Sequence, residues 1–271
     1  MNRFKIVISM KKVHLFLVSI ILLSVSCRQP QSYSISAFHL LLQVTDSIIP
    51  DKDLEEFIRP YNDSLTSYLN RKIGVNEIEL KSFKPDSPLS GLIADIMLEK
   101  GRELLLSVNE SEYNLPSIAI INTGGVRAAL KKGDVTIKNI YEILPFENVL
   151  VALLMTGEDM EDLFKHLARS HGDGLSGATC DFTTSGMENI MVNGEKFSKD
   201  KQYWVFAPDY LAAGGNRYVV FSKALKQIES DLKLREIVIE YINNLNDNNR
   251  PLCHIHNTRI NDIRNIRNET K

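Results

Sequence analysis

The stretch Asn122-Thr-Gly-Gly-Val-Arg127 follows an apolar run, Ser117 to Ile121, that is typical of a buried strand. Two consecutive glycines after a strand let the backbone turn sharply and expose its N–H groups. Arg127 leaves that turn as a fixed cation, which can bind phosphate or sugar oxygens through two hydrogen bonds. The stretch therefore predicts a strand that ends in a ligand-binding turn.

Two later stretches each combine an aromatic ring with an amide, and the second of them adds a glycine turn. They are Leu144-Pro-Phe-Glu-Asn148 and Tyr210-Leu-Ala-Ala-Gly-Gly-Asn216. Stacking on an aromatic ring stabilises a bound nucleobase by about 1–3 kcal/mol, so the three stretches favour a flat, anionic ligand such as a nucleotide. Taken singly, each has a simpler interpretation as plain turns and core aromatics. The residues nominated for ligand binding are Gly124, Gly125, Arg127, Phe146, Asn148, Tyr210, Gly214, Gly215 and Asn216.

Apolar periodicity, helix caps and turn signals predict one mixed α/β domain with a mixed sheet over residues 50–245. Asn193-Gly194 predicts a hairpin turn. At Gly91, early in a helix, glycine costs about 1 kcal/mol relative to alanine, so another backbone or a ligand is expected to approach it. Residues 246–271 form a polar tail that is expected to fray or to lie on the surface. Predicted helices cover 51–69, a segment starting at 88, 136–143, 156–167 and 232–245, and predicted strands cover 73–80, 117–121, 149–155, 178–183, 190–192 and 203–207.

The composition is that of a soluble globular protein, with 44% hydrophobic and 24% charged residues in a chain of 271. The formal net charge of −2 does not favour binding to a nucleic-acid backbone, because such proteins usually carry a basic patch. Cys180 and Cys253 could pair in an oxidising compartment or remain as two free, partly buried thiols, and their spacing leaves both alternatives open.

Residues 1–26 have the pattern of a secretory signal peptide. Two lysines precede an apolar run, residues 13–25, that is short for a membrane span. Ser24-Val-Ser-Cys27 resembles a bacterial lipobox, which implies that Cys27 is lipidated and that residues 27–49 tether the domain. An ordinary signal peptide cleaved just before that cysteine is the alternative. Export is expected in both cases. Lipidation implies a lipoprotein on the periplasmic side of a bacterial membrane, and the outer membrane is the favoured prediction.

Four motifs, in order along the chain, resemble the C-terminal domain of the 5′-nucleotidases, and the resemblance covers residues 50–245. It implies a layered α/β fold that supplies substrate specificity. Phe146 and Tyr210 would sandwich a nucleobase, and Asn148 would contact that base. Arg127 would contact the nucleotide. The motifs are Ser87-Pro-Leu-Ser-Gly-Leu-Ile-Ala-Asp95, Asn122-Thr-Gly-Gly-Val-Arg127, Tyr141-Glu-Ile-Leu-Pro-Phe-Glu-Asn148 and Leu211-Ala-Ala-Gly-Gly-Asn-Arg-Tyr218.

The sequence departs from the family pattern at several positions. Asn216 stands where an acid usually contacts the sugar, and Tyr210 stands where phenylalanine is common. Glu147 replaces a usual glycine and adds a carboxylate near the expected anion site. Some family members carry further phosphate-binding arginines before the helix that starts at Ser87. In that region this chain has only Lys81 and Lys84. The resemblance therefore supports base or nucleoside binding better than phosphate binding.

In full-length 5′-nucleotidases, an N-terminal metallophosphoesterase domain performs catalysis with two metals, which activate water and hold the phosphoryl oxygens. Of its motifs, which have the form Asp-x-His, Gly-Asp, Gly-Asn-His and Gly-His-x-His, this sequence contains only isolated Gly-Asp dipeptides, such as Gly172-Asp173. That segment is expected to be loop, with Gly172 or Gly174 lining the cleft, and His254-Ile-His256 is expected to be a solvated part of the tail. We therefore expect no catalytic residue, metal or cofactor in this chain, with divalent metals held by a separate metallophosphoesterase partner.

Three functions remain open from the sequence. The chain could be the substrate-recognition subunit of a split nucleotidase, or a lipid-anchored receptor for nucleosides or nucleotides. It could also be a degenerate domain used for protein contacts. The presence of Arg127, Phe146, Asn148 and Tyr210 argues against the third alternative.

Overall fold

The computed structural model describes Thr45 and residues 48–264. The predicted signal peptide, Cys27, most of the tether and residues 265–271 lie outside the described residues. The chain divides into two units, residues 1–52 and 53–271. The second unit contains the helices and strands given below, except for Lys52, the first residue of the first helix.

The described residues form a mixture of helices and strands, which confirms the predicted mixed α/β class. No helix among them is both long enough and apolar enough to cross a membrane. The α-helices are α1 (Lys52–Leu69), α2 (Pro88–Ser107), α3 (Ile137–Ile143), α4 (Gly157–Arg169), α5 (Asp209–Ala212) and α6 (Leu234–Asp247). The strands are β1 (Lys72–Asn76), β2 (Ser117–Ile121), β3 (Gly133–Thr136), β4 (Val149–Thr156), β5 (Gly174–Ser176), β6 (Ala178–Thr183), β7 (Gly186–Val192), β8 (Glu195–Lys196), β9 (Gln202–Pro208), β10 (Lys226–Lys233) and β11 (Ile260–Asp262).

A five-stranded mixed sheet, in the order β10-β4-β9-β2-β5, forms the centre of the domain. β2 and β9 run parallel, and the other neighbouring pairs run antiparallel. Because successive residues of a strand point to opposite faces, Leu150 and Ala152 pack in one core, and Val151 and Leu153 pack in the other. Apolar residues of α2 and α6 cover the first face, and those of α4 cover the second.

Three helices begin where the sequence predicts. Thr136 forms a capping box before α3, and the Thr156 hydroxyl accepts the N–H of Asp159 at 3.1 Å before α4. α2 begins at Pro88, although Ser87 makes no capping hydrogen bond with its side chain. Local end signals were sufficient at α3 and α4 because each cap satisfies a backbone group that the first turn leaves without a partner. At α2 the signal is Pro88 itself, since proline favours the first position of a helix.

The described residues form two smaller sheets besides the central one: a four-stranded sheet in the order β11-β6-β7-β8, and the pair β1-β3. The predicted hairpin joins β7 to β8, and Asn193 and Gly194 have φ values of 47° and 84°, as such a turn requires. The strand predicted over residues 73–80 ends at Asn76. β3, β5, β10 and β11 were not predicted, because they are short or lack an apolar run.

Most of residues 246–264 lie on the surface, which is one of the two alternatives predicted for the tail. They also make specific contacts with the rest of the domain. The backbone of Leu252 hydrogen-bonds to β1, and β11 pairs in parallel with β6. The N–H of Arg259 donates to the buried carboxylate of Asp86 at 2.7 Å, and its guanidinium donates to Asp95 at 2.6 Å. The segment folds back because it supplies polar partners that a buried carboxylate needs.

The C-terminal segment also explains why a glycine occupies position 91 in α2. A Cβ atom at this position would overlap the guanidinium of Arg259 and would lie 3.3 Å from Nδ1 of His256. The close approach predicted from the sequence is therefore real. It comes from side chains of the C-terminal segment, however, and not from a backbone or a ligand.

Candidate functional site

Three segments meet at one edge of the central sheet and enclose a cleft of about 410 Å³. We call residues 122–127 the first wall, residues 144–148 the second wall and residues 210–216 the third wall. The first and third walls follow the carboxyl ends of the parallel strands β2 and β9, and the second precedes β4, which is antiparallel to β9. This edge is the usual position of ligands in open α/β sheets. The lining residues are Asn122, Gly124, Gly125, Arg127, Phe146, Asn148, Tyr210 and Asn216.

The first wall is a tight 3-10 turn, Thr123–Gly125, directly after β2. The N–H of Gly125 donates to the carbonyl of Asn122 at 2.9 Å and closes the turn. The guanidinium of Arg127 donates to the carbonyl of Gly124 at 3.2 Å and remains exposed. This contact holds the cation beside the cleft and leaves most of its N–H groups available to a ligand.

The second wall is held in place from outside the cleft. The carbonyl of Asn148 accepts the N–H of Leu234 at 2.9 Å. Glu147, the carboxylate expected near the anion site, pairs instead with Lys233 at 3.2 Å and with Arg235 at 3.1 Å. The hydrogen bond from Lys233, followed by the charges of Lys233 and Arg235, lowers the pKa of Glu147. Glu147, Lys233 and Arg235 do not line the cleft. The carboxylate of Glu147 is therefore paired with cations outside the cleft and does not add a negative charge to the lining.

The third wall depends on its two glycines for shape. Gly214 has a φ of 89° and Asn216 a φ of 51°, left-handed conformations that glycine and asparagine adopt most easily. A Cβ at Gly215 would lie within 2.6 Å of the Tyr210 ring, so only glycine lets that ring pack here. Gly214 and Gly215, both predicted to bind ligand, are not among the residues that line the cleft; they shape the wall.

Among the described residues, the lining combines one positive charge, from Arg127, with no carboxylate. Phe146 and Tyr210 offer ring faces to a flat group. The amides both donate and accept hydrogen bonds. A ligand with a flat, hydrogen-bonding ring and a hydroxyl or anionic group fits this chemistry. The lining amides are Asn122, Asn148 and Asn216.

The two aromatic side chains of the cleft are not core residues. Phe146 is 50% exposed and Tyr210 is 47% exposed, whereas Trp204 and Phe206 are fully buried. Apolar surface left in water forgoes about 25 cal/mol per Å² of favourable burial. A pair of half-exposed rings beside one cleft is therefore typical of a binding surface and not of core packing.

Asn122 lines the cleft although the sequence analysis did not nominate it as a ligand contact. The residue is only 5% exposed, and its Oδ1 has no hydrogen-bond partner in the described part of the chain. A buried amide oxygen without a donor is costly, so a ligand or water that supplies one is favoured at this position. The sequence could have indicated Asn122 through its position, because it lies between a buried strand and a turn that contains two glycines.

The histidines and cysteines of the C-terminal segment and β6 differ in their surroundings. His256, expected to be solvated, pairs with Asp86 at 2.9 Å, and burial lowers the pKa of His254. Cys180 and Cys253 are both free thiols, and burial raises the pKa of Cys180 to about 12. In the described part of the chain, no three His, Cys, Asp or Glu side chains are grouped so that they could hold a metal ion.

Comparison with known proteins connects this geometry to a family. Residues 72–223 match the family model of the 5′-nucleotidase C-terminal domain. A 5′-nucleotidase of Vibrio vulnificus is 30% identical over 182 residues, which cover 65% of this chain and 31% of that protein. A 5′-nucleotidase of Vibrio parahaemolyticus is 25% identical over 211 residues, which cover 73% of this chain and 35% of that protein. The chain thus spans about a third of the length of these curated relatives.

A solved structure shows the same fold. The crystal structure of a 5′-nucleotidase precursor from Thermus thermophilus aligns with a TM-score of 0.65 and 22% identity. The alignment covers 79% of this chain and 44% of that one.

Proposed function

The chain belongs to the 5′-nucleotidase C-terminal domain family, and on this basis we propose that its cleft recognises a nucleoside or nucleotide for a phosphoester hydrolase. The observation that carries the proposal is the composition of the lining. Two half-exposed rings, one guanidinium and three amides converge on one cleft without a carboxylate. Ring faces suit a base, amides suit its edge and the sugar, and Arg127 suits a phosphate or a sugar hydroxyl.

We further propose that metal catalysis is supplied by a separate metallophosphoesterase protein. The proposal is supported by the sequence given, which apart from isolated Gly-Asp dipeptides contains none of the metal-ligand motifs of the catalytic domain. Divalent metals would then act on a phosphoryl group that extends beyond the cleft.

The lipobox-like motif at Cys27 supports the proposal that the protein is a lipoprotein. A lipid on that cysteine would place the domain on the periplasmic side of a bacterial membrane. Of the two membranes, we propose the outer one. Metabolic labelling with a fatty acid tests this: incorporation should disappear in Cys27→Ser.

A binding protein without a catalytic role is the second candidate. The unpaired Oδ1 of Asn122 and the exposed rings favour ligand binding under both candidates, and they argue against a degenerate domain. Hydrolysis of AMP with a divalent metal, by this protein with and without the candidate partner, separates the two. We expect turnover only with the partner. Robust turnover by this chain alone would contradict the proposal of a separate catalyst.

Binding itself is tested by calorimetry and thermal shift with AMP and adenosine. We expect Phe146→Ala to weaken the binding of both by roughly 5- to 150-fold, because one stacking face is lost. Phe83→Ala is a matched control, since Phe83 is 51% exposed but does not line the cleft. Equal affinities in Phe146→Ala and wild type would exclude stacking on this ring.

A further inference from the structure

Asp173 lies behind the cleft, between two of its walls. The residue is only 2% exposed. Its Oδ1 accepts the backbone N–H of Thr123, in the first wall, at 2.9 Å. Its Oδ2 accepts the hydroxyl of Tyr218, two residues after the third wall, at 2.8 Å. One carboxylate thus connects segments that are far apart in the sequence.

The flanking glycines allow this carboxylate to reach its position. Gly172 has a φ of 85°, and a Cβ there would lie 2.7 Å from the Cα of Pro85. A Cβ at Gly174 would lie 2.7 Å from the Cβ of Ser90. Neither glycine lines the cleft, contrary to the sequence-based expectation. Both instead allow the loop to pass close to its neighbours, so that Asp173 lies under the first wall.

Charge and packing fix both ends of the connection. The Nζ of Lys84 lies 3.3 Å from Oδ1 of Asp173 and donates to the carbonyl of Ser170 at 2.5 Å. This pairing offsets the cost of burying the carboxylate. The ring of Tyr218 is fully buried and packs against His166 at 4.2 Å. Burial, followed by the charge of Asp173, raises the pKa of Tyr218 well above its usual value, so the hydroxyl remains a donor.

Two further links complete a ring around the cleft. The N–H of Arg127 donates at 2.9 Å to the carbonyl of Ile143, directly before the second wall. The N–H of Val149, directly after the second wall, donates at 3.2 Å to the carboxylate of Asp209, directly before the third. Asp173 supplies the remaining link, from the third wall back to the first.

We propose that Asp173 is a positioning residue that sets the first wall, with Arg127, at the correct distance from the third wall for ligand binding. The ligand part of this inference rests on the proposed function. The wall-positioning part concerns the protein alone, so it can be tested without a ligand.

The ligand-free test is amide hydrogen exchange in Asp173→Ala, Asp173→Asn and Glu110→Ala. In Asp173→Ala, peptides covering residues 122–127 should exchange at least about tenfold faster, because the Thr123 N–H loses its acceptor. Asparagine should restore slow exchange, since its Oδ1 can accept that N–H and its Nδ2 can donate to the Tyr218 oxygen. Glu110 is a matched control because it is a buried carboxylate paired with a lysine, Lys226, and is not hydrogen-bonded to any wall.

The binding test is a double-mutant cycle with AMP. Asp173→Ala should weaken binding about tenfold, and Arg127→Ala should cost much less in that background than in the wild type. Asn148→Ala should cost the same in both backgrounds, because the second wall is held by other contacts. Wild-type exchange of residues 122–127 in Asp173→Ala, or equal acceleration in Glu110→Ala, would overturn the positioning role. If the wild type binds neither AMP nor adenosine, the proposed function fails, and hydrogen exchange still decides the role of Asp173.

Discussion

Among individual residues, Arg127 determines the charge of the cleft, because it is the one charged side chain in the lining. We expect Arg127→Ala to weaken AMP binding by roughly 10- to 100-fold, since a hydrogen bond to a charged group is lost. Adenosine binding should fall by less than about threefold. Calorimetry with both ligands measures the difference.

The same substitution at Arg217 provides a control. That arginine is exposed and follows Asn216 in the same turn, but it does not line the cleft. Arg217→Ala should therefore leave both affinities unchanged. An equal loss of AMP and adenosine in Arg127→Ala would instead place the guanidinium on the base or the sugar.

Buried histidines make stability depend on pH. Burial, and then the charge of Arg169, lowers the pKa of His166, and burial also lowers that of His254. In the unfolded chain both titrate at about 6.5. Between the lowered pKa and this value the unfolded state binds more protons, so the free energy of unfolding falls as the pH falls from about 6.5 towards the lowered pKa.

Urea denaturation across this pH range measures the effect. His166→Gln should reduce the slope of stability against pH, because one of the two buried groups no longer titrates. An unchanged slope in His166→Gln would show that its burial does not contribute.

At the scale of elements, packing of α2 against the sheet requires a glycine at position 101. Alanine normally stabilises a helix by up to about 1 kcal/mol relative to glycine. A Cβ at Gly101, however, would lie within 2.6 Å of the ring of Phe206, which is fully buried in β9. We expect Gly101→Ala to destabilise the protein by about 1–3 kcal/mol, as overpacked cores do. Thermal and urea unfolding measure this.

A second glycine tests whether the effect comes from crowding. At Gly124 the nearest atom to an added Cβ is 3.9 Å away, so Gly124→Ala should change the stability by less than about 0.5 kcal/mol. If Gly101→Ala is as stable as the wild type, α2 can shift away from β9 at little cost.

The elements predicted correctly from the sequence are those that local chemistry determines. β2 and β4 are continuous apolar runs, and α3 and α4 have their own caps. β10 escaped prediction because its sequence is mostly polar and no residue of it is buried; pairing with β4 orders it. The walls of the cleft were visible as short motifs. Asp173 was not, because its partner Thr123 lies 50 positions away.

At the scale of the whole molecule, the C-terminal segment is part of the domain because it packs on the first turns of α2. Arg259 is the main contact: its guanidinium pairs with Asp95 at 2.6 Å and fills the space beside Gly91. We expect Arg259→Ala to lower the free energy of unfolding by about 1–3 kcal/mol through the lost charged hydrogen bond. Arg250→Ala, at an exposed arginine before this contact, should have little effect in the same urea titration.

Coupling between the two ends of this contact gives a sharper prediction. In the wild type, Gly91→Ala should be destabilising, because the new methyl group would overlap the Arg259 guanidinium. In the Arg259→Ala background that space is free, so the intrinsic preference of a helix for alanine should make the same change neutral or stabilising by up to about 1 kcal/mol. Such a reversal of sign requires the two sites to be energetically coupled, as they are when the side chains are in contact. Additive effects of the two substitutions would mean that the C-terminal segment does not pack on α2 in solution.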